Sequence, residues 1–427
     1  MKRFIKNIIL LSLTAPVLTA CLEEAYPGRG FTQEQLFETD NTAAALSKAI
    51  PGAMLRMGKG NGHYGYAGLF MDRETMCAEL PVYDVLYDFY QDEGFDRNYS
   101  PEYYVATDWW PFYYELIKKA NLTVGAVAIN ENTTAEELAH VGNALGYRAF
   151  AYYDMAFAYE YKKTGYGKLD EKAAIDKIYG LTVPIRTEST TQQEATTDRR
   201  APFYVMYRFI MTDLDRAEKY LQGYKRSGAN MMDQGVIFGI KARLWLQLGT
   251  RFEKNNDDLQ MQLSHENDEA LAKYDKLGIT SANDCFKKAA QYARLAISEG
   301  HRPLTKAEWF NSTTGFNTAN EAWLLAVQIN SSDMTNGSDW NWKNFVGNMS
   351  SENTFGVNNL EYKAFRMIDA GLYKGIENGD WRKNTWISPA DAGDRKSPQM
   401  LAKLRLTRST PRCTRPKIGP NFQPIPA

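Results

Sequence analysis

The sequence predicts an all-α protein, built from helical hairpins that are joined by long irregular loops. Several segments place apolar residues three and four positions apart, which is the spacing of one helix face. Helix-start signals precede some of these segments. Between them lie stretches rich in Gly, Tyr and Asp that show little periodicity and are predicted to be loops. A chain of 427 residues can bury a large core.

The first predicted helix covers residues 42–57. Asp40-Asn41 supplies an N-cap for it, and Pro51 is expected to bend or interrupt it. Residues 58–108 are expected to form loops with short helices, and residues 109–127 a second long helix, followed by a turn at 130–132.

The clearest helix signal occurs at 133–161. Two Thr–Glu pairs have the capping-box spacing there, namely Thr133 with Glu136 and Thr134 with Glu137. Glycine weakens a helix, so Gly142 and Gly146, four residues apart, predict a neighbouring helix that packs very close.

Three further amphipathic helices are predicted in the second half of the chain. A break at 165–167 and an extended segment at 180–185 precede them. The helices cover 203–221, 236–252 and 283–300, and Asn283-Asp284 is the predicted cap of the last one. Successive hairpins of this kind resemble tetratricopeptide units, although no strict repeat of about 34 residues occurs.

The N-terminus predicts the compartment. Lys2, Arg3 and Lys6 precede an apolar stretch at 8–18, which is shorter than the roughly 20 residues that span a bilayer. It ends in Leu18-Thr19-Ala20-Cys21, which predicts a secretory signal peptide over residues 1–20. The Leu-x-Ala-Cys ending resembles a bacterial lipobox, in which Cys21 would be acylated and anchor the chain to a membrane. The alternative is an ordinary signal peptide with a Cys nearby by chance.

Composition argues against several classes of function. The net charge of −1 and scattered basic residues do not fit a nucleic-acid-binding protein. Cys77, Cys285 and Cys413 are far apart and form no CxxC or Cys/His cluster, so neither zinc nor a disulfide framework is indicated. The four His residues are isolated, and no nucleophile elbow or phosphate loop occurs. We therefore expect no enzyme, no catalytic or metal-binding residue and no cofactor. Acidic pairs such as Asp257-Asp258 leave a glycosidase as a distant alternative.

Short motifs follow one another along residues 18 to about 385. They are the lipobox with Glu23-Glu24, the helix at 41–55, the helix at 110–121 that ends in Ala120-Asn121, Tyr147-Arg148-Ala149, the segment 180–188, Asp213-Leu214-Asp215 within 201–221, Lys241-Ala242-Arg243, the helix at 289–300 and the pair Asn320-Glu321. In this order they resemble the SusD/RagB family of Bacteroidetes outer-membrane lipoproteins. The resemblance implies an all-helical tetratricopeptide-like core without enzymatic activity. It also implies a partner, a SusC-like TonB-dependent transporter, to which the protein delivers an oligosaccharide or, less often, a peptide.

The last residues depart from that family. From 395 to 427 there is no acidic residue, while basic residues and prolines accumulate. This segment is interpreted either as a disordered basic tail or, preferably, as the end of a truncated or frame-shifted gene product. The predicted organisation is a lipoprotein signal peptide at 1–20, a SusD-like helical domain at 21–394 whose N-terminal part covers about 22–230, and an atypical tail at 395–427.

Two loop segments supply the candidate ligand-binding residues. Sugar rings stack on aromatic side chains, and their hydroxyls require polar partners held on loops. The candidates are Tyr83, Tyr87, Tyr90, Asp92 and Asn98 in the first segment and Trp340, Asn341 and Trp342 in the second. The resemblance places the first segment beside the ligand and the second among variable ligand-side loops. The alternative is that these aromatic residues only pack their loops onto the body.

The sequence thus predicts a nutrient-binding lipoprotein of the outer membrane that faces the cell exterior and captures an oligosaccharide. Neutral net charge and loop Trp residues favour sugar over peptide. A peptide-capturing receptor of the RagB type and an envelope interaction scaffold without a ligand are the alternatives.

Overall fold

The structure, a computed structural model, describes residues 41–55, 65–77, 104–311, 313–316, 318–328 and 368–386. This part of the chain is all-helical, which confirms the predicted fold class. Its extended pairings are the isolated bridges Tyr161–Tyr179 and Leu181–Pro202. The predicted signal peptide, Cys21, Cys413 and the 395–427 tail all lie outside the described residues.

The described α-helices, in chain order, are α1 (Thr42–Ala53), α2 (Gly65–Met76), α3 (Tyr104–Gly125), α4 (Ala135–Tyr159), α5 (Gly167–Ile175), α6 (Gln192–Thr197), α7 (Phe203–Tyr220), α8 (Gln234–Lys254), α9 (Asn256–Ser264), α10 (Ala282–Ser298), α11 (Lys306–Trp309) and α12 (Ala370–Gly375). Two 3₁₀ turns accompany them, Glu269–Leu271 and Trp381–Thr385.

A contact from α4 explains why a proline, Pro51, is tolerated inside α1. Asn41 occupies the N-cap position as predicted, but its side chain makes no capping hydrogen bond. Pro51 lacks an N–H and so cannot bond to the carbonyl of Ser47, four residues earlier. The side-chain amide of Asn143 on α4 donates to that carbonyl at 3.3 Å and to the Ser47 hydroxyl at 2.9 Å. A tertiary contact thus replaces the hydrogen bond that the helix lacks.

The signals predicted for α4 have definite outcomes. Thr134 is the N-cap residue: its hydroxyl accepts from the Glu137 N–H at 3.2 Å, and its own N–H donates to Glu137 Oε2 at 2.8 Å. Of the two predicted pairs, the structure therefore uses the second. The predicted close packing at the glycines is confirmed. A Cβ atom on Gly142 would lie 2.8 Å from Leu221 Cγ, and one on Gly146 would lie 2.8 Å from Ile237 Cδ1.

Other local predictions need correction. The cap of α10 is Ser281, and Asp284 bonds back to it from the first turn, so Asn283-Asp284 is not the cap. The reason is that Ser281 and Asp284 have the capping-box spacing, which satisfies two backbone N–H groups instead of one. The short helices α5, α6 and α9 were not predicted, because polar helices of six to nine residues carry little apolar periodicity.

Helix packing forms a layered core. Helix α3 packs against both α1 and α4, α4 packs against α7, and α8 packs against α10. The α8–α10 and α4–α7 pairs make the most extensive contacts, followed by the α3–α4 pair. Trp109 on α3 and Trp245 on α8 are buried, as predicted, whereas Trp110 is partly exposed and packs against the core edge.

Candidate functional site

Four of the motif residues meet in one buried charged cluster. The Arg148 guanidinium on α4 donates to both carboxylate oxygens of Asp213 on α7, at 2.7 and 2.8 Å. Its remaining nitrogen donates to Asn121 Oδ1 on α3 at 2.8 Å and also to the Glu188 carboxylate. Arg148 is 1% exposed, so these bonds supply its polar contacts in place of water. The cluster joins α3, α4, α7 and the 180–188 segment.

The electrostatics of this cluster favour a structural role. Burial alone would lower the pKa of Arg148, but Asp213 and Glu188 raise it above its ordinary value. Partial burial raises the pKa of Glu188, yet the neighbouring Arg148 charge outweighs this and the pKa is lowered. Both groups therefore stay charged. Arg148 makes four hydrogen bonds to protein groups and is 1% exposed, so it is not accessible to a ligand.

A second buried cation, Lys241 on α8, is paired in the same way. Its ammonium contacts the carboxylates of Asp215 and Glu218 on α7, and the Tyr292 hydroxyl of α10 lies at 3.4 Å. Burial lowers the pKa of Lys241, but these two carboxylates raise it above its ordinary value. The motifs containing Asp215 and Lys241 thus fasten α7, α8 and α10 together.

A separate, largely unfilled cavity lies beside these clusters. It has a volume of about 800 Å³, within the range of small-ligand sites. Its walls come from the end of α1, from α2, α4 and α8, and from the segment 322–328. The aromatic side chains that line it are Tyr66, Phe70, Tyr147, Phe150 and Trp323, and its polar ones are Lys48, Asn230, Arg243 and Gln328.

Tyr66 has a fixed place in the cavity wall. Its ring packs 5.4 Å from the Phe150 ring, measured between centroids, and its hydroxyl donates to Asp154 Oδ2 at 3.0 Å. Tyr113 and Arg73 donate to the same oxygen, at 3.0 and 3.1 Å. Burial first and the Asp154 charge second raise the pKa of Tyr66, so the phenol stays neutral. The ring is therefore held rigid, which lowers the entropic cost of stacking a ligand on it.

Another wall of the cavity is an irregular segment, residues 322–328, that Arg226 holds in place. Arg226 pairs with Asp233 at 2.9 Å, donates to the Trp323 carbonyl at 3.1 Å and also donates to the Leu324 carbonyl. The Ala326 N–H adds a bond of 2.9 Å to the Ala229 carbonyl. Gly239 on α8 leaves the space that the Leu324 side chain occupies. The backbone around Trp323 is thus anchored although it lies outside any helix.

None of the eight predicted ligand-binding residues can be placed relative to this cavity. Tyr83, Tyr87, Tyr90, Asp92, Asn98, Trp340, Asn341 and Trp342 lie outside the described residues. Gln328 in the cavity wall precedes the second group by about a dozen residues in sequence. The roles of these eight residues remain predictions.

Sequence reasoning missed the cavity residues themselves. Tyr66 and Phe70 are four residues apart, which is a helical spacing, but the stretch around them was interpreted mainly as loop. Trp323 follows the Asn320-Glu321 motif closely, yet no local pattern marks it as a wall residue. Arg243 belongs to a recognised motif, although nothing in that motif separates it from the buried Lys241.

The described part of the chain bears on metal binding and on membrane insertion. There, no group of three or more His, Cys, Asp or Glu residues is placed to hold a metal ion. Within the same ranges, no helix is both long and apolar enough to cross a membrane. Cys77 and Cys285 are free thiols, the first exposed and the second buried, and burial raises the pKa of Cys285 to about 12.

The helical scaffold and the cavity define a class of protein in which helices carry a binding surface. Residues 67–227 match a SusD-like family that is described as starch-binding and associating with the outer membrane. The matched residues, fewer than half of the chain, are similar to the SusD/RagB family. The matched residues include the entire Arg148 cluster, whereas Tyr66, Arg243 and Trp323 of the cavity lie outside the match. Comparison with curated proteins gives no match.

Solved structures support the fold. A SusD-like carbohydrate-binding protein from Bacteroides vulgatus is 19% identical with a TM-score of 0.57, over 80% of this chain and 59% of that one. A putative sugar-binding protein from the same species is 16% identical with a TM-score of 0.49, over 78% and 61%. A SusD superfamily protein from Parabacteroides distasonis is 16% identical with a TM-score of 0.49, over 87% and 67%. The first of these shows the shared fold, and this chain spans about three fifths of its length.

Proposed function

We propose that this protein binds an oligosaccharide in the cavity between α1, α2, α4, α8 and the 322–328 segment. It would do so as a cell-surface lipoprotein that passes the sugar to a SusC-like TonB-dependent transporter. The observation that carries the proposal is the combination of partly exposed aromatic rings and amide side chains in one cavity of about 800 Å³. The family match supports the choice of a carbohydrate. The proposal assigns binding rather than catalysis.

The cavity chemistry suits a sugar. A pyranose presents C–H faces that stack on aromatic rings and hydroxyls that both donate and accept hydrogen bonds. Tyr66 on α2 and Trp323 in the 322–328 segment supply rings, while Asn230 and Gln328 supply amides that can donate and accept. The Tyr66 hydroxyl is already bonded to Asp154, so the ring, not the hydroxyl, is available to the ligand.

The first test measures binding of the full chain, purified in detergent, to a panel of polysaccharides by affinity gel and calorimetry. We expect one polysaccharide class to bind, and Tyr66→Ala and Trp323→Ala each to weaken binding about fivefold or more, as stacking of about 1 kcal/mol or more is lost. Tyr166→Ala is the matched control, because this Tyr is 69% exposed and lies away from the cavity. It should bind as the wild type does.

Circular dichroism on every variant separates lost binding from lost folding. A folded protein that retains full glycan affinity in both Tyr66→Ala and Trp323→Ala contradicts the cavity as the site. Parallel Trp340→Ala and Trp342→Ala variants then show whether the predicted loop aromatics carry the affinity. A folded protein that binds peptides but no glycan favours the RagB-type receptor. A folded protein that binds neither favours the interaction scaffold.

The anchor and the partner need their own experiment. Cys21 is the proposed acylation site. The proposed location is the outer membrane, with the protein facing outward. Metabolic labelling with a palmitate analogue in a Bacteroidetes host should label the wild type and not Cys21→Ala. Co-purification of the wild type with a TonB-dependent transporter would support delivery to that partner. An unlabelled wild type contradicts the anchor.

A further inference from the structure

The proposed glycan cavity carries positive charge, and none of its described lining residues is an acid that could neutralise it. We infer that its ligand is an anionic glycan, one that carries carboxylate or sulfate groups. This inference rests on the proposed function and specifies its substrate class. Lys48 on α1 and Arg243 on α8 line the cavity, and none of the described lining residues is Asp or Glu. The site therefore presents two formal positive charges to whatever enters it.

The acid beneath the cavity does not cancel these charges. Asp154 lies under Tyr66 and is 2% exposed. Its Oδ2 atom forms an ion pair with Arg73 at 3.1 Å and accepts bonds from two tyrosines. One cation thus already balances this carboxylate. Lys48 and Arg243 are additional to that pair.

The other cations near the core are treated differently by the fold. Arg148, Arg226, Lys241 and Arg251 each form an ion pair of 3 Å or less with at least one carboxylate. Within the described ranges, neither Lys48 nor Arg243 has a carboxylate partner within 4.0 Å. Arg243 instead rests over the Tyr153 ring, 5.4 Å from its centroid. The buried Arg208 has no carboxylate partner but donates to backbone carbonyls, among them those of Leu271 and Tyr274. Lys48 and Arg243 have neither kind of partner among the described residues and line a cavity, which favours an anionic ligand there.

Arg243 also has the right form for this role. A guanidinium is planar and offers parallel N–H donors that match a carboxylate or a sulfate. Packing against an aromatic ring restricts its orientation, so less entropy is lost when it binds. Tyr66, Trp323 and the amides of Asn230 and Gln328 then contact the sugar rings and hydroxyls. The carboxylates of an acidic peptide would pair with the two cations but would not need this combination of aromatic rings and amides, so we favour a glycan.

The test compares matched ligands on the full chain in detergent. The ligands are a uronate-containing polysaccharide, its carboxyl-reduced neutral counterpart, a sulfated glycan and an acidic peptide. We expect the wild type to bind at least one of the two anionic glycans about tenfold to a hundredfold more tightly than the neutral one. Added salt should weaken only the anionic binding. Comparing the affinities for the uronate-containing and the sulfated glycan shows whether the site prefers a carboxylate or a sulfate.

Arg243→Gln should remove most of the anionic preference, and Lys48→Gln part of it, where the preference is measured as the ratio of the affinities for the anionic and the neutral glycan. Arg294→Gln on α10 is the charge-matched control, because this Arg is exposed and does not line the cavity. Equal affinity for neutral and anionic glycans, unchanged in Arg243→Gln, overturns the inference and leaves the proposed function intact. Binding of the acidic peptide alone, or of no glycan at all, overturns both.

Discussion

The Arg148 cluster and the cavity both include residues of α4 but use charge in opposite ways. In the cluster, a 1% exposed guanidinium is bound by Asp213, Glu188 and Asn121. In the cavity, Arg243 is exposed and rests on an aromatic ring without a carboxylate among the described residues. The first arrangement joins helices. The second leaves a cation available to another molecule.

This difference shows what the family motifs encode. Asn121, Arg148, Glu188 and Asp213 are all motif residues, and all four satisfy one another. Because a buried charge without partners is very unfavourable, such a set tolerates little change. The cavity residues outside the matched segment face no such requirement. Scaffold and ligand specificity can therefore change independently in this fold.

The largest effect is expected from breaking the cluster. Arg148→Ala leaves Asp213 buried without its partner, which should lower the free energy of unfolding by about 3–5 kcal/mol. Chemical denaturation followed by circular dichroism measures this change. Lys172→Ala is the control, since it removes an exposed pair with Asp176 at 2.9 Å and should cost less than about 1 kcal/mol.

A double variant sharpens the interpretation. Arg148→Met combined with Asp213→Leu removes both buried charges and should recover much of the lost stability. Glu188 can then turn towards water, because its side chain is 29% exposed. If Arg148→Ala unfolds no more easily than Lys172→Ala, the cluster does not hold the scaffold together.

An intermediate effect is expected at the glycine contacts of α4. In Gly142→Ala the new Cβ would lie 2.8 Å from Leu221 Cγ, and Leu221 is fully buried. Overpacking should cost about 1–3 kcal/mol, partly offset by the better helix propensity of alanine. Thermal unfolding measures the change. Gly167→Ala is the control, because no atom lies within 4 Å of its Cβ position. A Gly142→Ala protein as stable as this control contradicts the close contact.

The smallest effect is expected for the cavity cations. Lys48→Gln and Arg243→Gln should each change the free energy of unfolding by less than about 1 kcal/mol, since neither breaks an ion pair in the described part of the chain and only Arg243 loses a ring contact. Chemical denaturation of the free proteins tests this. A loss comparable to that in Arg148→Ala would mean that these cations support the fold, which contradicts a ligand-binding role.

Sequence signals correctly predicted those helices that are stabilised by interactions between residues close together in the chain. The capping box at Thr134 and the apolar periodicity of α3, α4, α7, α8 and α10 arise from residues within one helix, so the sequence contains them in readable form. The tight glycine contacts could also be predicted, because glycine weakens a helix and two glycines four residues apart indicate a closely packed neighbouring helix. The short polar helices were missed because little in their composition distinguishes them from loops.

The cavity could not be predicted, because its walls come from positions far apart in the chain. Tyr66, Arg243 and Trp323 meet only after α2, α8 and the 322–328 segment have packed. Lys241 and Arg243 make the point most directly. They are two residues apart on one helix, so they lie about 200° apart around its axis, at 100° per residue. One is buried among carboxylates and the other faces the cavity.

The sequence by itself determined the helical fold class, the helix caps and the sites of close helix packing, since each depends on interactions between near neighbours in the chain. It also contained the motifs that resemble the SusD/RagB family, to which residues 67–227 are similar. Tertiary structure alone decided which charges are paired and which are left free, because pairing depends on what the neighbouring helices bring to the same place. That decision separates Arg148, which supports the scaffold, from Arg243, which is free to meet a ligand.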